Sequence, residues 1–341
     1  MKTDALQADS RLFSVIPPSL IPSWSTTPWA RFAFRKVGTL LLSFIILIFV
    51  TFLIVQLIPG DPARLAAGLE ADQAQVEQVR RDLGLDAPWW VQFGHYVQNI
   101  FNGSLGYSYR IGTVGTQILL RAPYTLIVAF SAIVITMLVA ILAGIGVAVL
   151  TRAGRRRWLD VAFSWVTAFI DAIPVYVRGT VLIIVFALSL SVLPAGGAQS
   201  ASSFVLPIIA LSIGPVCSLS RVVRREAESA FESDFIRTAE GWRLSRNRIN
   251  FKYLLPNVAT SALTMSGLML SGMIGGALIM EQVFSWPGLG TSVVNAIINR
   301  DYPVVQGTIL VLGMVAVIIN IIIDMVLALI DPRTLTPGSN S

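Results

Sequence analysis

Residues 37–60, VGTLLLSFIILIFVTFLIVQLIPG, hold no charged side chain between Lys36 and Asp61. About 20 apolar residues in helical conformation are enough to cross a hydrocarbon core of roughly 30 Å. The run is continuously apolar rather than alternating, so it reads as a helix and not as a strand of a membrane barrel. Within lipid only helices and closed barrels satisfy their own backbone polar groups. The same absence of charge recurs between Arg121 and Arg152, between Lys252 and Glu281, and between Asp301 and Asp324.

Two further apolar stretches complete the pattern. Residues 161–192 are interrupted only by Asp171 and Arg178, with Pro174 between them, and residues 204–220 follow the break Leu193-Pro194-Ala195-Gly196-Gly197. The expected fold is therefore an all-α integral membrane protein with about six transmembrane helices, near 37–59, 124–150, 159–192, 204–222, 257–281 and 304–330. Composition agrees. Only 13% of the 341 residues are charged and 55% are apolar, against about 25% charged in an ordinary soluble domain. The first run starts after Lys36, exceeds the usual signal-peptide core of about 7–15 residues and lacks a small-x-small cleavage site, so it is read as a retained helix. No internal repeat is visible.

Lysine and arginine set the expected orientation. With the N-terminus inside, residues 1–36, 151–158, 221–256 and the tail carry most of the basic side chains, among them Arg152, Arg155, Arg156 and Arg157 in one short loop. This is the usual cytoplasmic excess. It places both termini and Arg243 inside, and Asp72 and Ser292 outside. The net charge of +6 then reflects topology and not nucleic-acid binding.

Several chemistries are excluded at once. With one cysteine, Cys217, no intrachain disulfide forms; with one histidine, His95, no zinc-protease motif exists. None of the three lysines stands in a G-x-x-x-x-G-K-[ST] loop, so the chain has no P-loop for ATP. Met265, Met269 and Met273 form a helical stripe that reads as packing rather than soft-metal ligation. No cofactor or metal is expected in this chain.

The chain divides by environment. Residues 1–35 carry Pro17, Pro18, Pro22 and Pro28 and read as a flexible cytoplasmic extension. Residues 36–333 form the transmembrane domain, with an external loop at 60–123 and a cytoplasmic loop at 221–256, and 334–341 form a tail. In the external loop, Gln73 to Leu83 is helix-prone with Asp72 as its N-cap, and the aromatic spacing from Trp89 to Phe101 suits a helix lying at the membrane interface. Residues 221–248 mix basic and acidic side chains at helical spacing; on physics alone a solvated face is an equal reading. Gly272 and Gly276 permit close helix packing, either within the chain or against a second one.

Some longer motifs occur in a fixed order: Ile58-Pro59-Gly60-Asp61-Pro62, Leu83-Gly84-Leu85-Asp86, Gly103-Ser104-Leu105-Gly106, Val283-Phe284-Ser285-Trp286-Pro287-Gly288-Leu289-Gly290, Arg300-Asp301-Tyr302-Pro303-Val304-Val305-Gln306-Gly307 and Asp331-Pro332-Arg333. On these the chain, from about Arg35 to Arg333, resembles the permease subunits of bacterial ATP-binding-cassette importers for dipeptides, oligopeptides and nickel. The resemblance implies the type I importer permease fold. It also implies a second permease, two ATPases that bind ATP and Mg, a periplasmic or lipid-anchored solute-binding protein, and an inner-membrane location. Transport of peptides or related small solutes by alternating access is the implied function, with nickel or another small solute as the alternative. A channel or secondary transporter is the less favoured class: no filter-like segment and no repeated, broken hydrophobic segments are apparent. An intramembrane enzyme has only the isolated Asp171 in its favour.

The resemblance also gives the 221–256 loop a role. The family signature there, E-A-A-x-x-x-G with an Ile-x-Leu-Pro ending, docks the ATPase. Asp234 stands just before it; Arg237, Thr238 and Ala239 match its opening, and Leu255 and Pro256 its ending. The motif glycine falls at Arg243, with Gly241 two residues early, and Tyr253 replaces the usual isoleucine. Ala239 is expected to face the ATPase groove. Glu281 and Asp324 match acids of the family and read first as structural polar partners, then as gating residues. Asp171 and Arg178 depart from the family pattern. Seven residues apart on one helix, they would share a face about 10 Å apart, either as a structural pair or lining the pathway.

Overall fold

The computed structural model describes residues 28–57, 61–68, 71–82 and 84–330. Ile58-Pro59-Gly60, Leu83, Asp331-Pro332-Arg333, most of the 1–35 extension and the 334–341 tail lie outside the described residues.

The first helix, α1, spans Pro28–Leu57. It begins nine residues before the apolar run, so the boundary expected after residue 35 falls inside a helix. Crossing lipid demands apolar side chains, but helix formation does not: proline fits the first turn, where its missing N–H has no partner to lose, and Arg31, Arg35 and Lys36 then extend the helix beyond the membrane. The same reasoning explains why α5 (Val114–Thr151) starts ten residues earlier than expected, through Pro123, and why α8 (Val205–Glu232) runs ten residues past its apolar part, well into the expected loop. The segment between the first two membrane helices carries α2 (Pro62–Ala67), α3 (Gln73–Asp82), α4 (Trp89–Phe101) and a small antiparallel hairpin, β1 (Tyr107–Ser108) with β2 (Gly112–Thr113). At the start of α3, Asp72 Oδ1 accepts from Gln75 N at 2.7 Å and Gln75 Oε1 accepts from Asp72 N at 3.1 Å. This reciprocal capping box is the cap expected at Asp72. Helix α4 packs one face on α1, where Phe93 meets Phe52 edge-on at 5.2 Å and Tyr96 OH lies 2.9 Å from Thr51 Oγ1. Its other face leaves Trp89 and Trp90 exposed.

The third span differs from expectation. Helix α6 (Arg157–Ala172) stops at Ile173, and α7 (Val175–Leu182), continued by a π turn over Ile183–Ser189, leaves at a 95° bend. Pro174 is the cause: it has no N–H to donate and disfavours helical backbone in the residue before it. One hydrophobic segment is thus broken where the sequence suggested none. The remaining elements are α9 (Asp234–Gly241), α10 (Arg246–Ile249) with a π turn over Asn250–Leu254, α11 (Leu255–Val283), α12 (Leu289–Ile298) and α13 (Tyr302–Ile330).

Helices α5, α8 and α11 form the centre, around a core that includes Val128, Ala132, Leu211, Leu270, Met273 and Met280. Met265 is largely exposed. Of the glycine pair, Gly276 approaches Leu211 of α8 while Gly272 faces open space. Contacts across each end show how the chain alternates. At one face Lys36 pairs with Asp324, and Arg152 with Glu240 at 2.7 Å. At the other, Arg110 binds Asn299 at 2.9 Å, and Gly197 N donates to Phe284 O at 2.9 Å. The broken third span starts beside Arg152 and its following loop reaches Phe284, so it crosses. By length and composition, five of the described helices can cross a membrane, and the bent pair α6–α7 counted as one span makes six.

Candidate functional site

The short helix α9 stands apart on the Arg152 face. Ser233 precedes it in extended conformation, and Asp234 in its first turn complements the helix N-terminus. Ile236 and Ala239 are buried on one side, in the cluster that holds Phe231, Ile249, Leu254 and Val258. Ala239 is 1% exposed. The expectation that Ala239 faces outward is therefore corrected: a helical residue three positions after Ile236 shares its inward face. The outward side chains are Asp234, Phe235, Arg237, Thr238 and Trp242, with Phe235 42% and Trp242 70% exposed. The sequence match had drawn attention to residues 237–239 and passed over both aromatics. The signal that could have found them is an aromatic side chain at each end of the short helical segment 234–242, among charged and small polar neighbours.

Arg243 resolves the turn after α9. Its φ is +55°, in the left-handed region. Arg243 N donates to Glu240 O at 2.8 Å and Leu244 N to Ala239 O at 3.3 Å, the two bonds of a Schellman cap. The position where the family signature has glycine thus keeps a glycine-type conformation although arginine occupies it; Gly241 remains inside the helix. A left-handed backbone costs a non-glycine residue roughly 1–2 kcal/mol. Arg243→Gly is therefore expected to stabilise the loop by about 1 kcal/mol, read as slower hydrogen exchange at Leu244; unchanged or faster exchange would contradict it. Leu255 and Pro256 open α11 rather than end the loop, and Tyr253 packs on the same apolar cluster as Ala239. The unit is wired to the bundle: Arg152, at the end of α5, lies over the Phe231 ring at 4.3 Å while bonding Glu240.

Glu281 lies at the far end of α11, 2% exposed. Its carboxyl oxygens accept from Thr125 Oγ1, from Gly290 N at 2.6 Å and from Thr291 N at 3.1 Å. It holds the α11–α12 turn closed. Trp286, also buried, meets Phe204 edge-on at 4.6 Å. A side chain on Gly288 would strike the Glu281 carboxyl, and one on Gly290 would come 2.5 Å from Leu278 Cα. The longest sequence motif therefore encodes a tightly folded connection. Asp324 pairs with Lys36 and joins α13 to α1.

Asp171 and Arg178 are not a bonded pair. The bend separates them, and Asp171 Oδ2 accepts from Arg221 of α8 at 2.6 Å. Arg221 was not singled out in the sequence. Arg178 lies instead against Gly214 of α8.

The face opposite Arg152 and α9 carries a cavity of about 420 Å³ between α1, α4, the β1–β2 region and residues 299–306, bordered by Arg80, His95, Tyr96, Arg110 and Arg300. Asp61, the N-cap of α2, binds Arg80 at 2.5 Å. Burial pushes the Tyr96 phenol above its usual range, with the Thr51 bond acting the other way.

The described residues form a bundle of membrane-length helices with a short helix tied to it on one face and a cavity on the other. The chain belongs to the family of binding-protein-dependent transport system inner membrane components, which matches residues 140–336, preceded by that family's N-terminal component over 29–129. It is a transmembrane permease subunit of an ATP-binding-cassette importer, with the type I importer fold, and a multi-pass inner-membrane protein. It is 34% identical over 299 residues to the glutathione transport system permease protein GsiC of Pectobacterium atrosepticum, covering 87% of this chain and 96% of the relative. The protein of that name in Escherichia coli strain K12 is 35% identical over the same shares. Among solved structures, an inward-facing MetNI methionine ABC transporter aligns with TM-score 0.49 and 19% identity, over 63% of this chain and 92% of that one. An amino acid ABC transporter with histidines aligns with TM-score 0.46 and 15% identity, over 64% and 94%.

Proposed function

We propose that this permease carries peptides or closely related small solutes inward by alternating access. Separate ATPase subunits drive it, seated on α9. The observation that carries the coupling part is the two-sided packing of α9: Ile236 and Ala239 are anchored in the chain's own core while Phe235 and Trp242 project outward. An exposed apolar surface on a rigidly held helix is what a partner's groove takes up. The bond from Arg152 to Glu240 ties the end of α5 to α9, so force on α9 reaches a membrane helix. The solute class rests on the similarity to permeases named for glutathione transport. The orientation follows: the α9 face, with Lys36 and Asp324, is cytoplasmic, and the cavity at 299–306 faces the solute-binding protein. A second permease completes the pathway, and ATP and Mg belong to the ATPases.

The test is a double substitution, Phe235→Ser with Trp242→Ala, in the complete transporter. Both side chains are exposed, so the permease is expected to insert and fold, while co-purification of the ATPases and peptide uptake fall at least tenfold, on the scale of losing two interface anchors at about 1–2 kcal/mol each. Retention of both ATPases and of uptake would remove α9 as the docking helix and with it the assigned orientation.

A further inference from the structure

Charged residues continue from the cytoplasmic loop up the face of α8 that meets the broken span. Arg224 pairs with Asp160 and lies 3.7 Å from Glu228; Arg221 pairs with Asp171 at 2.6 Å. Above them Arg178 lies where a side chain on Gly214 would otherwise sit, with Nη2 2.7 Å from that Cβ position. Each acid of this ladder has an arginine of α8 beside it. Arg178 alone of the three arginines has no ion pair among the described residues, and its Nε and Nη1 are buried without a hydrogen-bond partner among them. Asp171 is near enough to act on Arg178 through space, but its hydrogen bond goes to Arg221.

The setting makes this costly. Helix α6 has 16 residues from Arg157, roughly 24 Å at 1.5 Å each, so the bend that follows lies inside the membrane. Ala172, Pro174 and Tyr176 at the bend are exposed on the single chain. Interrupted backbone and ionisable groups at that depth occur where protein covers them or where they line a water-filled cavity. Broken membrane helices are also where transporters hold charged solute groups. A guanidinium offers a planar fork of donors matched to a carboxylate.

We propose that Arg178 is a carboxylate-binding residue of the translocation pathway, taking the C-terminal carboxylate of a peptide solute as it passes the bend of the third span. This rests on the peptide reading above. Gly214 gives the guanidinium its seat, and the Asp171–Arg221 pair closes off the acid that would otherwise neutralise it. The carboxylate meets a guanidinium that has no ion pair among the described residues and leaves again, which the paired Arg221 and Arg224 do not offer.

The experiment uses the assembled transporter with its binding protein in proteoliposomes. Uptake of a pool of free-acid di- and tripeptides is compared with the same pool amidated at the C-terminus, for the wild type, Arg178→Gln and Arg178→Lys. In parallel, Arg178→Cys in a Cys217→Ser background is treated with a water-soluble methanethiosulfonate. The expected results are a drop of about tenfold or more in free-acid uptake for Arg178→Gln, amide uptake within about twofold of wild type, partial recovery in Arg178→Lys, full subunit assembly, and labelling at position 178. A tenfold loss corresponds to about 1.4 kcal/mol, at the lower end for hydrogen bonds to a charged group. Parallel loss of both pools, or no labelling at 178, would overturn the proposal. Loss of the second permease from Arg178→Gln would also overturn it and give the guanidinium to an acid of that subunit. If the wild type takes up neither pool, the peptide reading itself fails, and this assignment with it.

Discussion

Gly290→Ala is expected to leave little folded permease in the membrane. The new methyl group would stand 2.5 Å from Leu278 Cα and 2.9 Å from Glu281 Oε2. One of these is main chain and the other a buried carboxyl already holding three donors. Neither can move without opening the α11–α12 turn, which would free the Gly290 and Thr291 N–H groups from their acceptor. Overpacking costs about 1–3 kcal/mol and each of the two buried donors left without a partner about 1–3 more, so a loss of at least about 3 kcal/mol is expected. Gly272→Ala in the preceding helix, α11, is the control, because no atom lies within 4 Å of the added methyl. Detergent-extracted protein measured by size-exclusion chromatography and thermal melting separates the two. Wild-type yield and melting for Gly290→Ala would mean that the turn is looser than this geometry.

The second large effect is that of Ala239→Asp. At 1% exposure, among Phe231, Ile236, Ile249 and Leu254, the substitution puts a carboxylate where no donor is available, at a cost of several kcal/mol. Uptake should be abolished because α9 detaches from the core, and the loop should become sensitive to added protease in inside-out vesicles. Phe235→Ser with Trp242→Ala should lose uptake to a similar degree with the loop still protected. Equal protection in Ala239→Asp would place residue 239 on the outer side of α9 after all. The comparison separates failure of the lever from failure of its docking, which a transport assay alone confounds.

Much of this architecture was legible in the chain. Charge-free runs located the passages because lipid excludes charge whatever the neighbours are, and lysine and arginine placement suggested an orientation. The cap at Asp72 was readable because its partner lies three residues away. The family was legible because its motifs survive as short, ordered strings. The limits of the helices were less so, since Arg31 or Arg225 can extend a helix into water without any change in apolar pattern.

Tertiary structure decided the rest, and the physical reason is sequence distance. Asp171 and Arg178 invited pairing because one continuous helix would have put them on one face. The 95° bend at Pro174 broke that geometry, and the acid's actual partner, Arg221, lies 50 positions away. Which side of α9 turns inward depends on Ile249, Leu254 and Val258 arriving from beyond the turn at Arg243. Glu281 became a structural acid only when Thr125, 156 residues earlier, and the backbone of residues 290–291 closed around it. Hydropathy and local periodicity fix what each segment can do by itself; partners brought together from distant helices exist only once those helices have packed.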